Sequence, residues 1–150
     1  MNEDIGELQI TLTRLMPEEA FKAFLYDDAT DLPVKAPVGN ATIGYGCNVQ
    51  AGWSQDLAKK VLMWQLETVQ ARLFPLPWYQ ALSALRRSVC LDVAFNDGIE
   101  GFLNGYPKMI AALQVGNFVQ AAIQCTTDNP RLQARYLVLA HIMLTDQIAS

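Results

Sequence analysis

Metal ligands are scarce in this 150-residue chain. It has a single histidine, His141, and three cysteines, Cys47, Cys90 and Cys125, none in a C-x-x-C spacing. A zinc site usually needs three or four such ligands, so neither a metal nor any other cofactor is expected. An odd, widely spaced cysteine set also argues against a disulfide framework. Positive charge is short as well: 11 Lys and Arg against 15 Asp and Glu leave a formal net charge of −4. The basic clusters are only the pairs Lys59-Lys60 and Arg86-Arg87, so nucleic-acid binding has no electrostatic basis. Nor does an acidic surface attract anionic polymers in general. No apolar run reaches the roughly 18 residues that span a bilayer. The stretch 132–144 comes closest, and Arg135 and His141 interrupt it, so no membrane span is expected. The opening Met-Asn-Glu-Asp-Ile-Gly-Glu is acidic where a secretory signal would be basic, so no export route is expected. Glycine-rich phosphate loops and a Gly-x-Ser-x-Gly nucleophile elbow are missing too.

What is present is enough apolar material for one packed domain. Hydrophobic residues are 51% and charged ones 17%, which excludes disorder and predicts a single domain over 1–150. Ile5, Leu8, Leu12, Leu15 and Met16 recur at helical spacing, and Pro17 is expected to break the last turn. Between Ala29 and Ala41 the chain carries Pro33, Pro37 and Gly39 with no helical period. Thr42-Ile43-Gly44-Tyr45-Gly46 is β-prone and glycine-punctuated, so the region 20–50 is expected to form a small twisted hairpin. After Gly52 the character changes. Ser54 is a good N-cap for a long helix with the stripe Leu57, Val61, Leu62, Leu66, Val69 and Leu73, which Pro75 and Pro77 stop. A second helix is expected from Trp78 to Asp97, with Gly98 as its C-terminal cap. Pro107 and Gly116 bracket a shorter one, Asn117 caps the next, and Pro130 opens the last. The fold class is therefore α+β, mainly α: a small N-terminal β-region joined by a long helix to a helical lobe over 54–148. A cleft between the two parts is where a ligand is expected.

The chemistry-bearing side chains cluster early, at Glu18, Glu19, Asp27, Asp28 and Thr42. Glu19 and Asp28 are nine positions apart, at most about 30 Å if extended. A turn into a strand brings such a pair within the roughly 6.5–9.5 Å that an inverting glycosidase needs between its carboxyl groups. On spacing alone, acidic pairs of this kind are mostly ordinary surface. The residues around them add more. Glu19 to Asp28, with Tyr26-Asp27-Asp28 at its end, followed by Thr42-Ile43-Gly44-Tyr45-Gly46, resembles the catalytic signature of the phage-type lysozymes, glycoside hydrolase family 24. That family's pattern is a Glu, eight residues, an Asp, then Thr-Ile-Gly-x-Gly. Phe95-Asn96-Asp97-Gly98 is similar to its Phe-Asn-x-Gly helix end, and Leu76-Pro77-Trp78 and 111–122 fall where it has like segments.

The resemblance implies a lysozyme-like fold and hydrolysis of the β-1,4 bond between N-acetylmuramic acid and N-acetylglucosamine in peptidoglycan, with inversion. It makes Glu19 the general acid, Asp28 the group that positions water or stabilises the oxocarbenium-like transition state, and Thr42 a holder of that water. Phe95, Asn96 and Arg135 become substrate-binding residues, Arg135 by matching an arginine near the acid. It further implies a monomer, used in phage lysis or wall entry, held in the host cytoplasm before lysis or carried on the virion. The alternatives are a lysozyme-like domain that binds glycan or protein without cutting it, and a transglycosylase-like or chitinase-like cleavage on the same scaffold. Departures from the family pattern are Ala20 in place of Gly, a longer stretch between Asp28 and Thr42, and Cys47 where His or Arg is frequent. They bear on subsites more than on the chemistry. Local explanations compete for other residues. Arg135 is equally well a helix-surface charge and Asn96 a helix terminator. Trp53, Trp64 and Trp78 are candidates for stacking on sugars, though Trp64 adjoins the apolar stripe and is assigned to the core. Cys47 is assigned as a buried thiol, and Met109, Ile110 and Leu113 are core by spacing.

Overall fold

The computed structural model describes residues 3–19, 21–22, 25–27, 32–34, 41–43 and 47–148. Among them the chain is mainly helical. Helix α1 (Glu3–Glu19) is followed by two short antiparallel pairs of two residues a strand: β1 (Tyr26–Asp27) with β2 (Leu32–Pro33), and β3 (Thr42–Ile43) with β4 (Cys47–Asn48). Seven helices follow: α2 (Gln55–Leu73), α3 (Pro77–Gln80), α4 (Ala84–Asp97), α5 (Ile99–Gly105), α6 (Pro107–Gln114), α7 (Phe118–Gln124) and α8 (Gln133–Thr145).

Several boundaries follow from local chemistry. The Ser54 hydroxyl accepts from the Leu57 amide at 3.2 Å and starts α2, and the Asn117 side chain accepts from Gln120 N at 3.0 Å and starts α7. Gly98 ends α4 with φ of +75°, a conformation that favours glycine. Three expectations need correction. Helix α1 ends at Glu19, where the spacing places it, but its last turn is not broken at Pro17, because the proline lies two residues from the end and removes little of the helix's own bonding. The helix expected over 78–97 is two, since the Ser83 hydroxyl accepts from Arg86 N and opens a new helix there. The last helix starts at Gln133, three residues after Pro130, because residues 130–132 form a turn.

Helix α4 is the axis of the core. It packs against α1, α2, α5 and α8, and every residue from Arg87 to Ala94 is buried. Leu12 and Leu15 of α1, Leu66 and Leu73 of α2, Phe102, Met109, Leu139 and Met143 close around Val89, Leu91 and Val93. Each such fully buried side chain contributes about 1.5–3 kcal/mol relative to exposure. The last helix is clasped at its end by Arg86, whose guanidinium donates to the Met143 carbonyl at 3.0 Å, pairs with Asp146 at 3.3 Å and lies 3.7 Å over the Phe118 ring. No described helix is long and apolar enough to cross a membrane.

Candidate functional site

Helix α1 delivers Met16 and Pro17 to the wall of an open groove of about 560 Å³. Phe21 and Lys22 also line it, as do Trp53 and, from α2, Lys59 and Leu62. Phe95, near the end of α4 and half-buried, completes the lining. A second groove of about 320 Å³ runs on between α2 and the α4–α5 junction, and Gln65 and Phe95 line both.

Glu19 is the last residue of α1, directly before the region 20–50, and Thr42 is the first of β3, within it. Their side chains, and Asp28 altogether, lie outside the described residues, as do the side chains of Glu18 and Cys47. Phe95 is at the grooves. The other two expected substrate contacts are drawn inward: Asn96 donates to the Asp92 carbonyl and carboxylate at 3.2 and 3.3 Å. Arg135, 5% exposed, donates from Nε to Asp92 Oδ1 at 2.9 Å, and its Nη2 lies 2.7 Å from the same oxygen as an ion pair, so it is not a surface charge on α8. Trp64 is also elsewhere than expected. It is 65% exposed and belongs to the second groove, not to the core. Two positions separate it from Leu62 and from Leu66, a turn of about 200° that points it away from the buried part of the stripe and places it on the side of Leu57, itself exposed.

A polar stripe along the α1–α4 contact escaped the hydrophobic pattern. Glu7, Thr11 and Arg14 share one face of α1 at i, i+4 and i+7. Glu7, fully buried, pairs with Arg87 and accepts from Gln70 at 2.6 Å and Tyr79 at 2.9 Å. Thr11 donates to the Glu7 carbonyl, and Arg14 donates to Ser88 O and to Asp92 Oδ2, both at 2.9 Å. Asp92 is thus held between guanidinium groups from α1 and α8. Because α4 is covered on all sides, its charged residues need partners from the surrounding helices. The recognisable sign in the sequence is Arg87, Ser88 and Asp92 inside an otherwise apolar helix.

This pairing commits most carboxylates of the helical part. Asp97 accepts from Tyr106 at 2.7 Å and Tyr136 at 3.1 Å, and burial pushes the Tyr106 hydroxyl up to about 12. Asp146 bonds Ser83 and Arg86, Glu100 pairs with Arg72 at 2.8 Å, and Asp56 pairs with Lys60 at 2.7 Å. Glu67 and Asp128 are exposed. A general acid that keeps its proton near neutrality needs a partly dry, uncommitted position, and these six fill none. Among the described residues no three His, Cys, Asp or Glu side chains gather as a metal site.

Cys90 and Cys125 are unpaired, buried thiols. Burial first, and the Asp92 charge second, push Cys125 up to about 12, and burial likewise pushes Cys90 upward. Since the thiolate is the reactive form, iodoacetamide at pH 8 should leave both untouched in the native protein and label both after unfolding. Labelling of either at its unfolded rate would contradict the packing around α4. The same shift makes the fold lose stability as pH rises from the free thiol's 9 toward 12, because only the unfolded chain releases the Cys125 proton there.

Set against family models, curated proteins and solved structures, the chain matches none.

Proposed function

We propose that the protein is a peptidoglycan-cleaving muramidase of lysozyme-like architecture, hydrolysing the β-1,4 bond after N-acetylmuramic acid with inversion. The observation that carries the reading is the run Glu19, Asp28 and Thr42-Ile43-Gly44-Tyr45-Gly46, whose first member ends α1 within one turn of the groove residues Met16 and Pro17. Support comes from the helical part, where Asp56, Asp92, Asp97, Glu100 and Asp146 are committed to partners and Glu67 and Asp128 are exposed, so the acid–base pair is sought at the end of α1 and in the segment after it.

In this mechanism Glu19 gives its proton to the glycosidic oxygen as the C1–O bond breaks. A water held by the Thr42 hydroxyl, which both donates and accepts, attacks C1 from the opposite face. Asp28 takes the proton that water loses. Phe95 supplies an apolar floor under the sugar. Asn96 and Arg135 act by way of Asp92, which ties α8 to the helix that carries Phe95. The protein acts on the wall of a bacterium during phage lysis or entry, from the host cytoplasm or the virion.

Mass spectrometry of products from purified peptidoglycan tests this. Reducing muramic ends are expected. Anhydro-muramic ends would assign a transglycosylase instead, reducing glucosamine ends a glucosaminidase-like or chitinase-like cut, and intact glycan with bound protein a binding module.

A further inference from the structure

We propose that Trp64 is a sugar-stacking subsite at the far end of one continuous glycan groove, taking a pyranose ring of the strand that is cut near the end of α1. This rests on the muramidase reading for the identity of the strand. Three observations carry it. First, Trp64 projects its ring into the second groove while 65% exposed, although the other tryptophans are at least partly covered. Second, Gln65 and Phe95 line both grooves, so the two adjoin along the same face of the protein. Along α2 the joint wall runs from Gln55 to Arg72, about 25 Å at 1.5 Å per residue. That suits an extended polymer better than a compact ligand.

Third, the lining is mainly apolar, with polar side chains beside the apolar ones. A pyranose offers a face of C–H bonds and an edge of hydroxyls. The indole face and the side chains of Val69 and Ile99 meet the former. The Gln65 amide, the Thr68 hydroxyl and the Arg72–Glu100 pair, both of whose members are exposed at the rim, meet the latter. Thr68 donates to the Trp64 carbonyl at 2.8 Å and keeps lone pairs for a ligand hydroxyl.

The test compares Trp64→Ala and Trp64→Phe with the parent, using peptide-free glycan strands of long and short length. Equilibrium titration and cleavage kinetics are both read, with melting temperature as the folding control. Trp64→Ala should weaken binding of long strands and raise their KM about tenfold or more, with kcat little changed. Short oligosaccharides that end before Trp64 should bind alike in both proteins, and Trp64→Phe should recover most of the affinity. Equal binding of long strands by Trp64→Ala and the parent would overturn the subsite, as would a parent that binds no glycan. A parent that binds strands through Trp64 yet releases no products would leave the subsite standing and remove the muramidase reading.

Discussion

Asp92→Ala is expected to cost about 3–5 kcal/mol of folding stability, the range found when one partner of a buried ion pair is deleted. For a chain of this size that lowers the melting temperature by on the order of 10 °C. The carboxylate is fully buried and each oxygen is taken by a different guanidinium, Arg14 from α1 and Arg135 from α8. Both arginines are themselves largely covered, with side-chain exposures of 14% and 5%, so solvent screens the loss poorly. Removing the carboxylate leaves two desolvated positive charges close together with their shared counter-ion gone. If the charge is the cause, Asp92→Leu combined with Arg135→Met should be less damaging than the two single changes added together. Denaturant unfolding of the four proteins measures this. A loss below about 1 kcal/mol for Asp92→Ala would show that the cluster is not the clamp between α1, α4 and α8.

Activity should respond most to Glu19→Gln. The exchange keeps size and polarity but removes the transferable proton, and the loss of general acid catalysis costs typically about 10²–10⁴-fold. Glu18 is the natural control. Adjacent side chains on a helix diverge by about 100°, so the two glutamates at the end of α1 cannot serve the same face. Only Glu19 stands nine positions before Asp28. The expected result is a folded Glu19→Gln that releases almost no reducing ends, beside a Glu18→Gln that works nearly as well as the parent. An exchange of these phenotypes would put the register one residue off, and full activity in both would end the glycosidase proposal.

The helical class and most helix starts were legible because they rest on short-range chemistry. Ser54, Asn117 and Gly98 act where the sequence puts them, each through one bond or one backbone angle. What was missed depends on partners far along the chain. The apolar period continues across 78–97, and only the Ser83 cap divides it, with Leu82 and Leu85 on either side to hide the break. Glu7, Thr11 and Arg14 obey the same spacing as the leucines beside them, yet a pattern built on apolar residues passes over them. Their partners Arg87, Ser88 and Asp92 are more than 70 positions away. Arg135 was divided evenly between a substrate contact and a surface charge, and neither reading includes its burial, because nothing local marks a helix residue as the match for a distant carboxylate. Trp64 was assigned inward by proximity to the stripe, whereas its angle about the helix axis points outward. For the candidate site, the residue types and their intervals came from the sequence, and the helix end, groove and shared Phe95 came from the fold.

The clamp on Asp92 also has a consequence in time. Its counter-ions come from positions 14 and 135, so during synthesis the first is made well before the carboxylate and the second well after it. At about 5–20 residues per second, a ribosome needs a few seconds to go from position 92 to position 135. Throughout that interval the central helix can pair with α1 but not with α8. The core therefore closes only after α8 has been made, and a ribosome stalled before α8 would present the inner face of α4 to chaperones and proteases.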